Sequence, residues 1–155
     1  MIYKKALTKE QARQKLRHFC GYQERCHQDV KEKLFQLGIK KKEHDELIAS
    51  LIEDNYLNEE RFAIAFAGGK FRIKQWGRIK IRYELNQRKV SDYSIKKALK
   101  EIAEDEYVAT LRKMAERRFL ELKDEQPLIR KRKTFDYLLQ KGYEYELINE
   151  VCSKF

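Results

Sequence analysis

The sequence predicts an all-α fold arranged as three tandem three-helix units. Three observations predict it. First, a helix-sized pattern recurs. Residues 33–39, 84–90 and 137–143 align so that Leu34, Leu85 and Leu138 fall four residues before Gly38, Lys89 and Gly142. An apolar residue follows each time: Ile39, Val90 and Tyr143. The spacing is 51 residues from Leu34 to Leu85 and 53 from Leu85 to Leu138, and periods near fifty mean stacked supersecondary units rather than one globular core. Second, charged residues make up 39% of the chain, with a single proline, Pro127. High charge, few breakers and abundant Leu, Lys, Glu and Arg favour helix. Third, hydrophobic residues make up 42% of the chain in helical periodicity, enough to build a core and to exclude full disorder. That core is thin, because each unit is small.

The first unit spans 6–57. Thr8 with Gln11 three residues on reads as a capping box, followed by Ala12, Leu16 and Phe19 at helical spacing. A second helix runs from about Gln28 to a stop at Gly38, in the place of a C′ glycine. A third carries Leu47, Ile48, Leu51 and Ile52. Gly38 lies nine residues before Leu47, whereas Lys89 lies six before Ile95, so Lys40-Lys41-Lys42 reads as a short loop insertion.

The second unit, 58–103, opens on Asn58 as N-cap, with Glu59 and Glu60 favouring the dipole of the first turn. Residues 62–67 (Phe-Ala-Ile-Ala-Phe-Ala) are apolar on every face, which predicts burial on all sides. Gly68-Gly69 is a candidate kink. Gly77 precedes a helix from Arg78 to about Arg88, and a third helix holds Ile95, Leu99 and Ile102. At about 100° per residue, Ile81 and Leu85 share one side, Ile79 and Tyr83 the opposite one, and Arg78, Arg82 and a still-helical Lys89 a stripe between them. Two apolar stripes predict contact on two sides, as at the centre of a stack.

The third unit, 104–155, has Tyr107, Leu111, Met114 and Phe119 on one stripe of its first helix. Its second helix spans about 128–140, with Thr134 where Val30 and Ile81 stand, and its last spans about 145–152.

The net charge is +10 and unevenly placed. Residues 1–57 hold 12 bases and 9 acids, residues 58–103 hold 12 and 5, and residues 104–155 hold 11 and 11. The focused excess points to a polyanion or an acidic partner. It is densest at Lys70, Arg72, Lys74, Arg78, Lys80, Arg82, Arg88 and Lys89, opposed within that stretch only by Glu84, with Phe71, Trp76 and Tyr83 interleaved. Bases of this kind neutralise phosphates and aromatics can stack on unpaired bases; the competing expectation is a solvated face whose aromatics belong to the core. The shorter run Arg130-Lys131-Arg132-Lys133 is offset by acids of its own unit and reads as a solvated helix face.

His18, Cys20, Cys26 and His27 are zinc-compatible side chains, but H-x-C-x5-C-H is not a finger or ribbon spacing, so no metal is expected. No Walker loop, G-x-S-x-G, C-x-x-C or H-E-x-x-H occurs and no catalytic constellation stands out, so neither an enzyme nor a cofactor is expected. No run of about 18 apolar residues exists to span a membrane. Residues 1–5 lack the apolar stretch of a signal peptide, which predicts a cytoplasmic protein with reduced thiols at Cys20, Cys26 and Cys152.

Residues 56–63, Tyr-Leu-Asn-Glu-Glu-Arg-Phe-Ala, resemble the signature that joins the first two units of the bacterial RecX regulatory proteins. Gly77, Lys80, Ile81 and Leu85 resemble that family's second-unit G-x-x-[RK]-I-x-x-x-L. Cys26, Asp29, Val30, Lys33 and Leu34 are similar to its first-unit S-x-x-E-L-x-x-K-L, with Cys26 in place of Ser, and Gly142-Tyr143 is similar to its closing G-F. Lys89 stands where the family often has Gly. The resemblance covers residues 6–155. It implies an elongated, curved molecule that binds the RecA recombinase filament on DNA. It further implies inhibition of the filament's ATPase, strand-exchange and coprotease activities, within DNA recombination, DNA repair and the SOS response. Members also bind single- and double-stranded DNA, expected here to be weak and without sequence specificity. A helix-turn-helix transcription regulator is the competing function. Such regulators often dimerise, and no dimerising heptad is visible here, so a monomer is expected. A helical adaptor with no nucleic-acid role is the third possibility.

Overall fold

The computed structural model describes residues 7–155. The expectation drawn from residues 1–5, and the first residue of the 6–57 unit, lie outside the described residues. Among the described residues there are nine α-helices and no strand. They are α1 (Lys9–Tyr22), α2 (His27–Gln36), α3 (Lys41–Glu53), α4 (Glu59–Gly69), α5 (Arg78–Gln87), α6 (Asp92–Lys100), α7 (Glu104–Glu121), α8 (Pro127–Gln140) and α9 (Tyr145–Cys152). A π-helical turn, Lys70–Lys74, continues α4.

The recurring leucine pattern is a helix-ending device used three times. Gly38, Lys89 and Gly142 all adopt positive φ, at 72°, 58° and 95°. The next residue's N–H reaches back to the leucine carbonyl: Ile39 to Leu34 at 3.0 Å, Val90 to Leu85 at 3.1 Å and Tyr143 to Leu138 at 3.3 Å. This is the six-to-one bond of a Schellman motif, whose apolar C″ residue packs on the residue that accepts it. All three leucines are fully buried. Lys89 has therefore left the helix and does not extend the basic stripe of α5. It holds an αL position that suits Gly, at the cost of a Cβ in a region L-residues avoid.

Several starts follow from the sequence. Thr8 Oγ1 accepts from Gln11 N–H at 3.1 Å while Gln11 Oε1 accepts from Thr8 N–H at 2.9 Å, a complete capping box. Asn58 Oδ1 accepts from Arg61 N–H at 2.9 Å. At Cys26 the reciprocal half is present: Asp29 Oδ2 accepts from Cys26 N–H at 3.1 Å. Lys40-Lys41-Lys42 is not a loop insertion. Lys40 is the N-cap of α3, which has 13 residues against 9 in α6, so the extra length is added helix.

Helices α1–α3 close on one small core of Ala12, Leu16, Val30, Leu34, Leu47 and Leu51 with their neighbours. Helices α4–α9 share a second, continuous core, which also takes in Cys26 from the start of α2. The stripe on α7 faces it, with Tyr107, Leu111 and Met114 buried. Thr134 is buried there because its hydroxyl is satisfied by Arg130 O at 2.8 Å. Two expectations fail. Ala65 of α4 is exposed, so that helix is not buried on all sides. Ile79 and Tyr83 are 52% and 59% exposed, so α5 packs on one side only.

The sequence 56–63 explains how the two cores are joined. Leu57 is buried against the first core and Phe62 and Ala63 against the second. Arg61 ties the joint, donating to Glu24 Oε1 at 2.5 Å and to the carbonyl of Asn55 at 3.1 Å. Glu59 caps α6 from across the unit, accepting from Ser91 N–H at 2.7 Å and from the Ser94 hydroxyl at 3.2 Å.

Candidate interaction face on α5 and the preceding turn

The basic segment begins where Gly68-Gly69 ends α4 in a π-helical turn, a feature often found at functional sites. A Cβ on Gly68 would lie 2.7 Å from Nη1 of Arg72, so the glycine makes room for that side chain. Gln75 closes the turn at φ 57°. The third unit braces it: the Tyr143 hydroxyl donates to Gln75 O at 3.0 Å and Lys141 Nζ to Lys74 O at 3.1 Å.

The eight cations named from sequence divide into two groups. Four work inside the molecule. Nζ of Lys70 and Lys80 lie 5.1 and 4.8 Å from the centre of the half-buried Trp76 ring, in cation–π contact with it. Arg88 lies 4.7 Å over Phe66 and pairs with Glu84 at 3.1 Å. Arg78 is the most engaged. Its guanidinium lies 3.8 Å over the Tyr107 ring, pairs with Glu144 at 2.7 Å and also pairs with Glu104. Burial opposes its charge, but the hydrogen bonds to Glu144 and Glu104 outweigh burial and hold its pKa above the ordinary value. Arg78 is thus a joint between α5 and the third unit, with its guanidinium engaged inside the molecule.

The other four, Arg72, Lys74, Arg82 and Lys89, are exposed. Among the described residues none of them makes an ion pair, whereas Arg78 and Arg88 do. Of the interleaved aromatics Phe71 is buried and Tyr83 exposed. Exposed Ile73, at 79%, and Ile79 add apolar surface beside these cations.

Arg82 opens onto a groove of 440 Å³ between α5 and α6, with Leu99, Ile102 and Ala103 along its apolar part. Lys96 and Lys100 line the same groove. These two lysines fall outside the dense basic run and do not stand out in the sequence. Their signal was the i, i+4 spacing, which places both on one face of a helix. The groove's acid, Glu104, is already paired with Arg78. Three free cations on one groove attract anionic groups.

Among the described residues no group of three or more His, Cys, Asp or Glu side chains is placed to hold a metal ion. Cys20, Cys26 and Cys152 are buried free thiols. Burial raises the pKa of all three, that of Cys26 to about 11, which disfavours the nucleophilic thiolate. No helix among the described residues is long and apolar enough to cross a membrane.

Comparison with known proteins agrees with this architecture. Family models described as "RecX, second three-helix domain" and "RecX, third three-helix domain" match residues 58–99 and 104–152. The chain is 30% identical over 128 residues to "Regulatory protein RecX" of Clostridium perfringens (strain 13 / Type A), covering 81% of this chain and 59% of that protein. It is 26% identical over 144 residues to the protein of the same name from Geobacillus kaustophilus (strain HTA426), covering 93% and 54%. The chain thus spans little more than half the length of these curated relatives. Among solved structures, that of RecX from Lactobacillus salivarius superposes with a TM-score of 0.84 at 21% identity, covering 94% of each chain. A second, described as regulatory protein RecX, gives 0.82 at 16% identity over 100% of this chain and 82% of that one. At these identities the structural likeness shows the fold.

Proposed function

The chain belongs to the RecX family of regulatory proteins, and from that premise we propose that it is a non-enzymatic modulator of the RecA recombinase filament on DNA. In this reading it binds the filament as a monomer in the cytoplasm and lowers its ATPase, strand-exchange and coprotease activities. It acts through three units, 6–57, 58–103 and 104–155. Its own contacts with single- and double-stranded DNA are weak and non-specific. It requires no cofactor.

The observation that carries this reading is the α5–α6 groove, where Arg82, Lys96 and Lys100 make no ion pair among the described residues and the one lining carboxylate, Glu104, is paired with Arg78. The exposed cations Arg72, Lys74 and Lys89 extend the positive surface on either side of α5 in sequence. Exposed apolar Ile79 and Tyr83 on the same helix supply contact area of the kind that interfaces concentrate. A long partner with regularly placed negative groups fits such a surface. The test is to add the purified chain to RecA on single-stranded DNA and follow ATP hydrolysis. Hydrolysis falls as the chain is titrated in; a rate unchanged at saturating chain contradicts the reading. A second reading, a regulator that reads duplex DNA, draws on the tight αL turn between α5 and α6 and on exposed Tyr93 of α6. Selective retention of one duplex sequence over scrambled ones favours it instead.

A further inference from the structure

One arrangement of side chains occurs twice, at opposite ends of the chain. Near the end of α1, the guanidinium of Arg25 lies 3.8 Å over the Phe19 ring while its Nε donates to Phe19 O at 3.0 Å. Near the end of α7, the guanidinium of Arg130 lies 3.6 Å over the Phe119 ring while its Nε donates to Phe119 O at 2.6 Å. In each, one arginine clamps a phenylalanine by its face and by its own carbonyl.

The two differ in what meets the ring next. Phe155 stacks on Phe119 with centroids 4.4 Å apart and planes 12° apart. Two groups this close to one ring occupy opposite faces, so Phe119 is sandwiched between Arg130 and Phe155. Phe19 has no aromatic partner of this kind among the described residues; the group it meets next is the ammonium of Lys33, with Nζ 5.4 Å from the ring centre. Phe19 lies in a groove of 590 Å³. Leu7 and Leu37 supply the apolar wall, and Tyr22, 79% exposed, stands at the edge. The ionisable side chains lining it, apart from Tyr22, are all basic: Lys15, His18, Arg25 and Lys33.

We propose that this groove is a docking seat for an acidic peptide segment of a partner protein, anchored by one aromatic side chain on Phe19. The seat on Phe119 shows the geometry with the chain's own Phe155 as occupant. A buried aromatic anchor within a polar rim is the usual make-up of a hot spot. The rim, basic without an opposing acid, selects carboxylates around the anchor. The seat lies on α1 and α2, away from the α5–α6 groove, and the proposal does not depend on the recombinase reading.

The test uses a fluorescein-labelled peptide of alternating Asp and Glu with a central Phe, a second with Ala in place of that Phe, and the whole 155-residue chain. The Phe peptide raises anisotropy on binding, and the Ala peptide binds at least about tenfold more weakly. Lys15→Glu with Lys33→Glu abolishes binding while circular dichroism stays unchanged. Tyr22→Ala, at an exposed position that leaves the fold intact, weakens binding to the Phe peptide alone. The proposal is overturned if neither peptide binds up to about 1 mM, or if both bind equally. It is also overturned if an oligothymidylate displaces the peptide from the wild type but not from Tyr22→Ala, which would make the seat a nucleobase site. Self-association lost in the Lys15, Lys33 double variant would assign the seat to a second copy and equally overturn it.

Discussion

Gly77 and Gly142 meet backbone to backbone, 65 positions apart in the chain. Gly77 N–H donates to Lys141 O at 2.8 Å, and Ile79 N–H donates to Gly142 O at 2.9 Å. The first turn of α5, whose N–H groups lack partners within the helix, is thus capped by the turn that ends α8. A Cβ on Gly77 would lie 2.3 Å from Gly142 O, and one on Gly142 would lie 2.3 Å from Lys80 Cβ. The second and third helix triplets are joined where two glycines allow the closest approach.

Gly77→Ala forces this joint apart. The clash is with backbone, which cannot rotate away, so the loss of stability is about 3 kcal/mol, the upper part of the overpacking range. Urea denaturation of the variant against wild type measures it. A midpoint shift within error would show that the joint is loose.

Leu85→Ala costs roughly 2–5 kcal/mol, the range for a buried leucine whose cavity does not fully collapse. Leu85 is fully buried and its carbonyl receives the Schellman bond from Val90. Thermal unfolding checks this, and Leu34→Ala and Leu138→Ala serve as equivalents.

Arg78→Glu destabilises the fold, because it sets a third carboxylate beside Glu104 and Glu144. Arg78 is partly buried, with a side-chain exposure of 22%. The expected loss is therefore roughly 2 kcal/mol, between surface and buried ion-pair values. Arg82→Glu, exposed and unpaired, changes stability by no more than about 0.5 kcal/mol. Equal melting temperatures for the two variants would refute the division of cations into structural and free.

Stability falls at alkaline pH. Burial, then the hydrogen bond to Glu144, raises the pKa of Tyr107 from its ordinary 10.0, and burial raises that of Tyr143. A raised folded-state pKa on an acid means that the unfolded chain ionises first, so this contribution is complete below the unfolded value and is lost as pH climbs past it. Cys26, raised by burial from 9.0 to about 11, acts in the same direction. Denaturation midpoints hold steady up to about pH 9 and decline toward about pH 11. A midpoint constant over that window would contradict the assignment.

Much of the fold was legible in the sequence because local devices built it. Leu34, Leu85 and Leu138 repeat because one helix-ending motif repeats, and Thr8 and Asn58 announce helix starts by residue type alone. The face of α5 was less legible because its fate is decided at long range. Arg78 resembles Arg82 in sequence, yet Glu144, 66 positions away, draws it into the joint. Ile79 and Tyr83 carry the spacing of a buried stripe, but among the described residues no helix covers them. Lys96 and Lys100 are not legible as neighbours of Arg82, because the folding of α6 against α5, rather than proximity in sequence, brings them to it.

The most direct measurement is RecA ATP hydrolysis on single-stranded DNA with the wild-type chain and with the triple variant Arg82→Glu, Lys96→Glu, Lys100→Glu, each shown folded by circular dichroism. The wild type lowers the rate, and the triple variant leaves it at the level of RecA alone. Undiminished inhibition by a folded triple variant would contradict the claim that the α5–α6 groove makes the contact.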